Sequence, residues 1–152
     1  MNHIRPLLLI LLLCAVACGG ESPETRIRKT VEAASEASAA RDLDSLMTHV
    51  DEAFADAGGR DKQALRALVA SHLERHGAVY VWTREQELEV AGDGTARYKA
   101  VVALAGRPIN TRINFTAFDG DVLRVDLKFK RSGETWKVVG ADWEPARPTD
   151  LL

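Results

Sequence analysis

The sequence predicts an α+β domain, with N-terminal helices packed on a strongly curved antiparallel sheet. A change of period carries that prediction. From Ser22 to His76 apolar residues recur at helical spacing, and beyond Gly77 they alternate as in strands with one buried face. Punctuation agrees with it. Gly58-Gly59, Gly92-Asp93-Gly94 and Ser132-Gly133 all fall between periodic segments.

The first helix opens at Ser22-Pro23-Glu24, which supplies an N-cap, a proline at the first helical position and an acid at the positive dipole end. Ile27, Val31, Ala34 and Ala37 or Ser38 then give an Ala-rich contact stripe, and the helix is expected to run to about Arg41. Asp42 caps a shorter helix through Leu43, Leu46, Met47 and Val50, with Phe54 continuing its cluster. Asp61 restarts the chain, and Leu65, Leu68, Val69 and Leu73 mark a third helix stopping at Gly77.

In the strand region Tyr80, Trp82, Leu88 and Val90 share one parity, as do Tyr98, Ala100, Val102 and Leu104. A hairpin through Gly92-Asp93-Gly94, with Gly94 left-handed, sets Glu89 opposite Arg97, Glu87 opposite Lys99 and Leu88 opposite Tyr98. Pro108 to Gly120, with Ile113, Phe115 and Phe118, reads either as a short strand or as a loop over a cavity mouth. Leu123, Val125, Leu127 and Phe129 alternate with charged residues. A turn at Ser132-Gly133 then sets Phe129 opposite Trp136, Leu127 opposite Val138 and Lys128 opposite Lys137. Pro145 and Pro148 end the fold, leaving residues 147–152 as a loose tail.

Composition narrows the function classes. The 152 residues carry 20 Lys+Arg against 22 Asp+Glu, a net charge of −2, which argues against a nucleic-acid binder. Two cysteines exclude a four-cysteine zinc site within one chain. Thirteen of the first 17 residues are apolar, Arg5 precedes the run Leu7 to Ala17, and no acid appears before Glu21. That is the make-up of a secretory signal peptide, too short to span a bilayer, which needs about 20 residues.

The exit Ala15-Val16-Ala17-Cys18 resembles a bacterial lipobox. The resemblance implies cleavage after residue 17, a diacylglycerated Cys18 and attachment to the membrane. Alanine three residues before the cysteine, where leucine is commoner, is a small departure. Gly19 replaces the aspartate that retains enterobacterial lipoproteins at the inner membrane, so the periplasmic face of the outer membrane is the expected address. Residues 18–22 then form a short tether and residues 23–146 the domain.

Two further segments carry a resemblance. Arg41-Asp42-Leu43-Asp44-Ser45-Leu46 opens the short helix, and Gly133-Glu134-Thr135-Trp136-Lys137-Val138 opens the closing strand. Their order, with the helices and strands around them, resembles the nuclear transport factor 2-like superfamily across roughly residues 23–145. The resemblance implies a cone-shaped fold enclosing a pocket, and a homodimer formed through the sheet. The superfamily holds isomerases, dehydratases, cyclases, transport factors and lipoproteins, so the fold does not decide the function.

Strict alternation puts Asp142 on the face of Trp136 and Val138, where a buried carboxylate could act as a general acid or base. Tyr80, Trp82, Tyr98 and Trp136 are candidates to line the cavity. His72 and His76 share a helix face, but without an evident third ligand they read as a solvated pair, and His49 reads as packing or capping. Arg124, Lys128, Lys130, Arg131 and Lys137 could form a basic patch on one sheet face. No cofactor and no metal site is implied. The expected protein is a membrane-anchored cone for a small apolar ligand or a protein partner. The alternatives are an isomerase-, dehydratase- or cyclase-type enzyme using Asp142 with a tyrosine donor, or a structural partner at the envelope.

Overall fold

The structure, a computed structural model, describes residues 20–76, 79–109 and 118–152. The expectations for Cys18, for the helix stop at Gly77 and for Ile113 and Phe115 lie outside those residues. Within them, α1 (Pro23–Ala39), α2 (Leu43–Thr48), β1 (Val50–Asp56) and α3 (Lys62–Arg75) precede β2 (Tyr80–Val90), β3 (Thr95–Ala105), β4 (Gly120–Ser132) and β5 (Thr135–Pro145). A 3-10 turn, Pro148–Leu151, follows.

The helix starts are where the side chains place them. Ser22, Asp42 and Asp61 each accept a hydrogen bond from the backbone N–H three residues on. Each thereby satisfies one of the donors that a helix N-terminus leaves free. The first helix ends at Ala39, and Arg41 just beyond its cap has φ of 60°, which lets the Asp42 N–H reach back to the Ala37 carbonyl.

The sheet runs β1-β5-β4-β3-β2. Its β2–β5 part is the expected antiparallel meander, but β1 joins parallel to β5 and makes the sheet mixed. This corrects the placing of Val50 on the second helix, while Phe54 joins the cluster of Met47 and Val50 as expected, from β1. The four-residue spacing of Val50 and Phe54 looks helical, and in β1 an irregularity between Val50 and Ala55 breaks the two-residue alternation.

The β2–β3 register is the expected one, with Glu89 opposite Arg97, Leu88 opposite Tyr98 and Glu87 opposite Lys99. Gly94 has φ of 81°. The last hairpin differs. Ser132 faces Thr135 across a Gly133-Glu134 turn, so Phe129 meets Val138, Arg131 meets Trp136 and Lys130 meets Lys137. Gly133 has φ of 61°, and a two-residue turn of this kind puts such a glycine first.

Two bulges reverse the alternation. Gln86 is the extra residue in β2, between Glu85 opposite Ala100 and Glu87 opposite Lys99. Val139 is the extra residue in β5, between Val138 opposite Phe129 and Gly140 opposite Lys128. Each moves the residues beyond it to the other face.

The main core lies between α1 and the inner sheet face. Ile27 is fully buried there against Tyr98, Ala100, Phe129 and Trp136. A second cluster, Met47, Val50 and Phe54, ties α2 to β1. The third lies on the outer face, where Leu151 covers Val101, Ala103 and Val122. The C-terminus is therefore docked and not a loose tail. Arg124 pairs with the Asp150 carboxylate, and Arg84 donates to the Asp150 carbonyl at 3.1 Å. Deleting residues 148–152 is expected to cost about 2 kcal/mol in urea unfolding, the burial value of one leucine. An unchanged midpoint would show that the turn contributes nothing.

Candidate functional site

The concave side of the sheet does not close completely on α1. A cavity of about 210 Å³ remains between them. Val31, Ala34, Ser35 and Ser38 of α1 form one wall, and Val102, Leu104, Val125, Leu127 and Phe129 of β3 and β4 form the other. Val81 and Thr83 of β2 and Leu46 and His49 at the end of α2 complete it. The small side chains of α1 leave this space because Ile27, two turns earlier, makes the tight contact.

Its few polar groups are largely occupied. The hydroxyls of Thr30, Ser35 and Ser38 donate to helix carbonyls four residues back, at 2.9 to 3.0 Å. Each keeps lone pairs with which it could accept. Tyr98 lies at the wall, and burial, with the nearby Glu85 carboxylate, pushes its phenol up to about 12. Glu85 is held by a two-pronged pair with Arg28, at 2.9 and 2.7 Å. No carboxylate lines this cavity among the described residues.

Of the residues expected to line it, Tyr98 alone does. Trp136 is buried in the core beneath the N-terminal half of α1. Trp82 packs in the outer-face cluster with Val101 and Leu151, and Tyr80, paired with Ala105, lies on that outer side, 37% exposed. The Gln86 bulge is the reason: it turns Val81, Thr83 and Glu85 inward and leaves Tyr80 and Trp82 outside. The Val139 bulge does the same to Asp142, which stands exposed on the outer face opposite Asp126. The acid–base reading built on Asp142 fails on this geometry.

His72 and His76 line a different cavity, of about 330 Å³, with Asp119 and Asp121 at the β4 entry. Their ring centroids are 4.4 Å apart. Burial, then the neighbouring His76, lowers the pKa of His72. Among the described residues no three His, Cys, Asp or Glu side chains converge closely enough to hold a metal ion. His49 stands at the C-cap of α2, as the capping reading expected; sequence reasoning missed that it and Thr83 line the cone, and that Arg28 and Glu85 pair beside Tyr98. His49 had no visible signal because its place depends on β1, and Glu85 was hidden by the bulge next to it.

Comparison with solved structures identifies this architecture. A candidate dehydratase of the NTF2-like family from Streptomyces avermitilis superposes with a TM-score of 0.63 at 16% identity, covering 82% of this chain and 99% of that one. The fold is nuclear transport factor 2-like. An uncharacterised protein with a cystatin-like fold from Caulobacter vibrioides superposes at 0.65 with 10% identity, covering 83% of this chain and 91% of the other. Bd1075 of Bdellovibrio bacteriovorus also gives 0.65, at 16% identity, over 80% of this chain, which spans only 40% of Bd1075. No protein-family profile and no curated protein matches the sequence. At these identities the nuclear transport factor 2-like likeness is one of fold.

Burial, and after it the Lys137 charge, lowers the His49 pKa below its usual 6.5. A folded value below the unfolded one contributes stability above the unfolded pKa and loses it as pH falls through the folded pKa. The His49 ring protons are therefore expected to titrate below 6.5 by NMR. With His72 kept in both proteins, His49→Asn should lose less stability than the parent between about pH 7 and pH 5. A midpoint at or above the usual value would contradict this environment.

Proposed function

We propose that the chain is a membrane-anchored lipoprotein of the bacterial periplasm whose cone binds a small apolar ligand without chemical conversion. The observation that carries the binding half is the lining: a concave, mainly aliphatic cavity whose helix hydroxyls are already bonded to the backbone. A volume of about 210 Å³ exceeds the roughly 150 Å³ that holds benzene, and falls short of drug-sized pockets of about 300 Å³ and more. The fitting ligand is ring-sized, neutral and sparing in hydrogen-bond groups. A charged head would enter without a counter-charge in the lining. The anchor half rests on Ala15-Val16-Ala17-Cys18 and the apolar run before it. Two or more acyl chains hold a protein on a membrane durably, where one does not.

The expected homodimer through the sheet belongs to the same proposal. The outer face offers a second copy charged rows beside a docked C-terminal turn, so such a dimer is expected to weaken as salt is raised.

Metabolic labelling tests the anchor: palmitate should enter the wild type and be absent from Cys18→Ser. Label retained in that variant would overturn it. For the cavity, a hydrophobic fluorescent probe such as N-phenyl-1-naphthylamine should brighten with the parent and be excluded by Ala34→Phe, which fills the space from α1. Undiminished probe binding by a folded Ala34→Phe would place the binding elsewhere.

A further inference from the structure

The outer sheet face is built of charge-compensated rows, with one exception. Lys99 pairs with Glu87, Arg97 with Asp126, and Arg124 with Glu144 at 2.8 Å. Even the carboxylates of Asp126 and Asp142, which stand opposite each other, have Arg97 bound to the first. At the β4–β5 hairpin tip, by contrast, Lys130 stands directly opposite Lys137 with Lys128 next along that face, and Arg131, opposite Trp136, projects from the other side of the tip. None of these four has an ion-pair partner among the described residues. Lys128, Lys130 and Arg131 are exposed, and Lys137 is half-buried.

The nearby acids are committed elsewhere. Glu134 is bound by Arg26 at 2.5 Å, Asp126 by Arg97, and Asp93 accepts from the Thr95 N–H and hydroxyl. Glu89 stands opposite Arg97. Like charges directly opposite in a sheet are destabilising; at Asp126–Asp142 a bound Arg97 offsets that, whereas neither Lys130 nor Lys137 has a bound counter-charge.

The position of the tip gives that cost a purpose. Arg26, in the first turn of α1, donates to both the carbonyl and the carboxylate of Glu134, so the domain's entry and the hairpin turn lie side by side. Three residues separate Cys18 from Ser22, and the four Cα steps reach about 14 Å when fully extended. A cysteine held at a bilayer surface therefore brings this tip to within roughly a Debye length or two of the headgroups.

We propose that the hairpin tip bearing Lys128, Lys130, Arg131 and Lys137 is a second membrane contact, seated on anionic phospholipid headgroups beside the acylated cysteine. It fixes which end of the cone faces the bilayer. The proposal rests on the lipid-anchor reading of Cys18. Basic clusters next to a lipid anchor add attraction to anionic surfaces, and that attraction is lost at high salt.

The experiment uses the lipidated protein reconstituted into vesicles of phosphatidylcholine, or of a two-to-one mixture of phosphatidylcholine and phosphatidylglycerol. Reductive methylation of individual lysines is followed by mass spectrometry. Lys130 and Lys137 are expected to react about five-fold more slowly on the anionic vesicles, the difference vanishing at high salt, while Lys62 on α3 reacts equally on both. Lys130→Gln with Lys137→Gln should keep its palmitate label and lose the protection of Lys128. Equal reactivity of Lys130 and Lys137 on both vesicle types overturns the proposal. If wild type carries no palmitate, the anchor reading fails by itself. Salt-sensitive co-sedimentation of the Cys18→Ser chain with anionic vesicles, but not with neutral ones, then still supports the tip, and its absence rejects it.

Discussion

The alternation of side chains along a strand is the constraint on which the rest of this structure depends. A sheet that wraps α1 must present apolar residues to it over the full length of four strands, although a curved, twisted sheet tends to drift out of step with its helix. The chain resolves this with single extra residues at Gln86 and Val139. Beyond Gln86, Leu88 and Val90 reach the same core as Tyr98 and Phe129; beyond Val139, Ala141 turns in to the β1 cluster. Without those two residues either the ends or the middles of β2 and β5 would point their apolar side chains at water.

The same two residues set the limit of what the sequence makes legible. Elements with local causes were readable: three helices fixed by Ser22, Asp42 and Asp61, and a β2–β3 register fixed by matched charges. A bulge has no such local mark, since one extra glutamine or valine in a strand-like run leaves the composition unchanged. Strict alternation therefore sent Trp82 and Asp142 inward. The missed strand β1 has a related cause. It is short and irregular, and it is held by a parallel partner more than eighty residues away, a long-range pairing with no periodic signature. At the cone, Tyr98 was legible because it lies on a regular strand, whereas His49 and Thr83 depend on features that local spacing does not encode.

Charge on the outer face follows from the inward turn of the apolar residues. Once the bulges have directed these to α1, most of what remains outside is Glu, Lys, Arg and Asp in register. Paired surface charges of this kind contribute little to stability, about 0–1 kcal/mol each. Their arrangement matters more for what can approach that face. The apolar remainder of the face, around Val101, Ala103 and Val122, is covered by Leu151, so the sheet keeps no bare apolar strip there. Asp56 shows the same economy at the sheet edge. Burial pushes its carboxyl up, yet the Arg60 N–H and guanidinium hold it below the usual range, and that guanidinium lies over the Trp143 ring at 4.9 Å.

The composition of α1 separates a scaffold from a site. An Ala-rich stripe ordinarily lets a helix approach a sheet closely, yet here a cavity of about 210 Å³ stays open between the two. Large aliphatic residues at positions 34, 35 and 38 would fill much of it, and a helix tolerates leucine as well as it does serine or better. Instead the chain holds Ala34, Ser35 and Ser38 there, with both serine hydroxyls bonded to their own helix. Small side chains at 34, 35 and 38 opposite Val102, Val125 and Leu127, with Ile27 fully buried earlier on the same helix, are what leave this volume between α1 and the sheet.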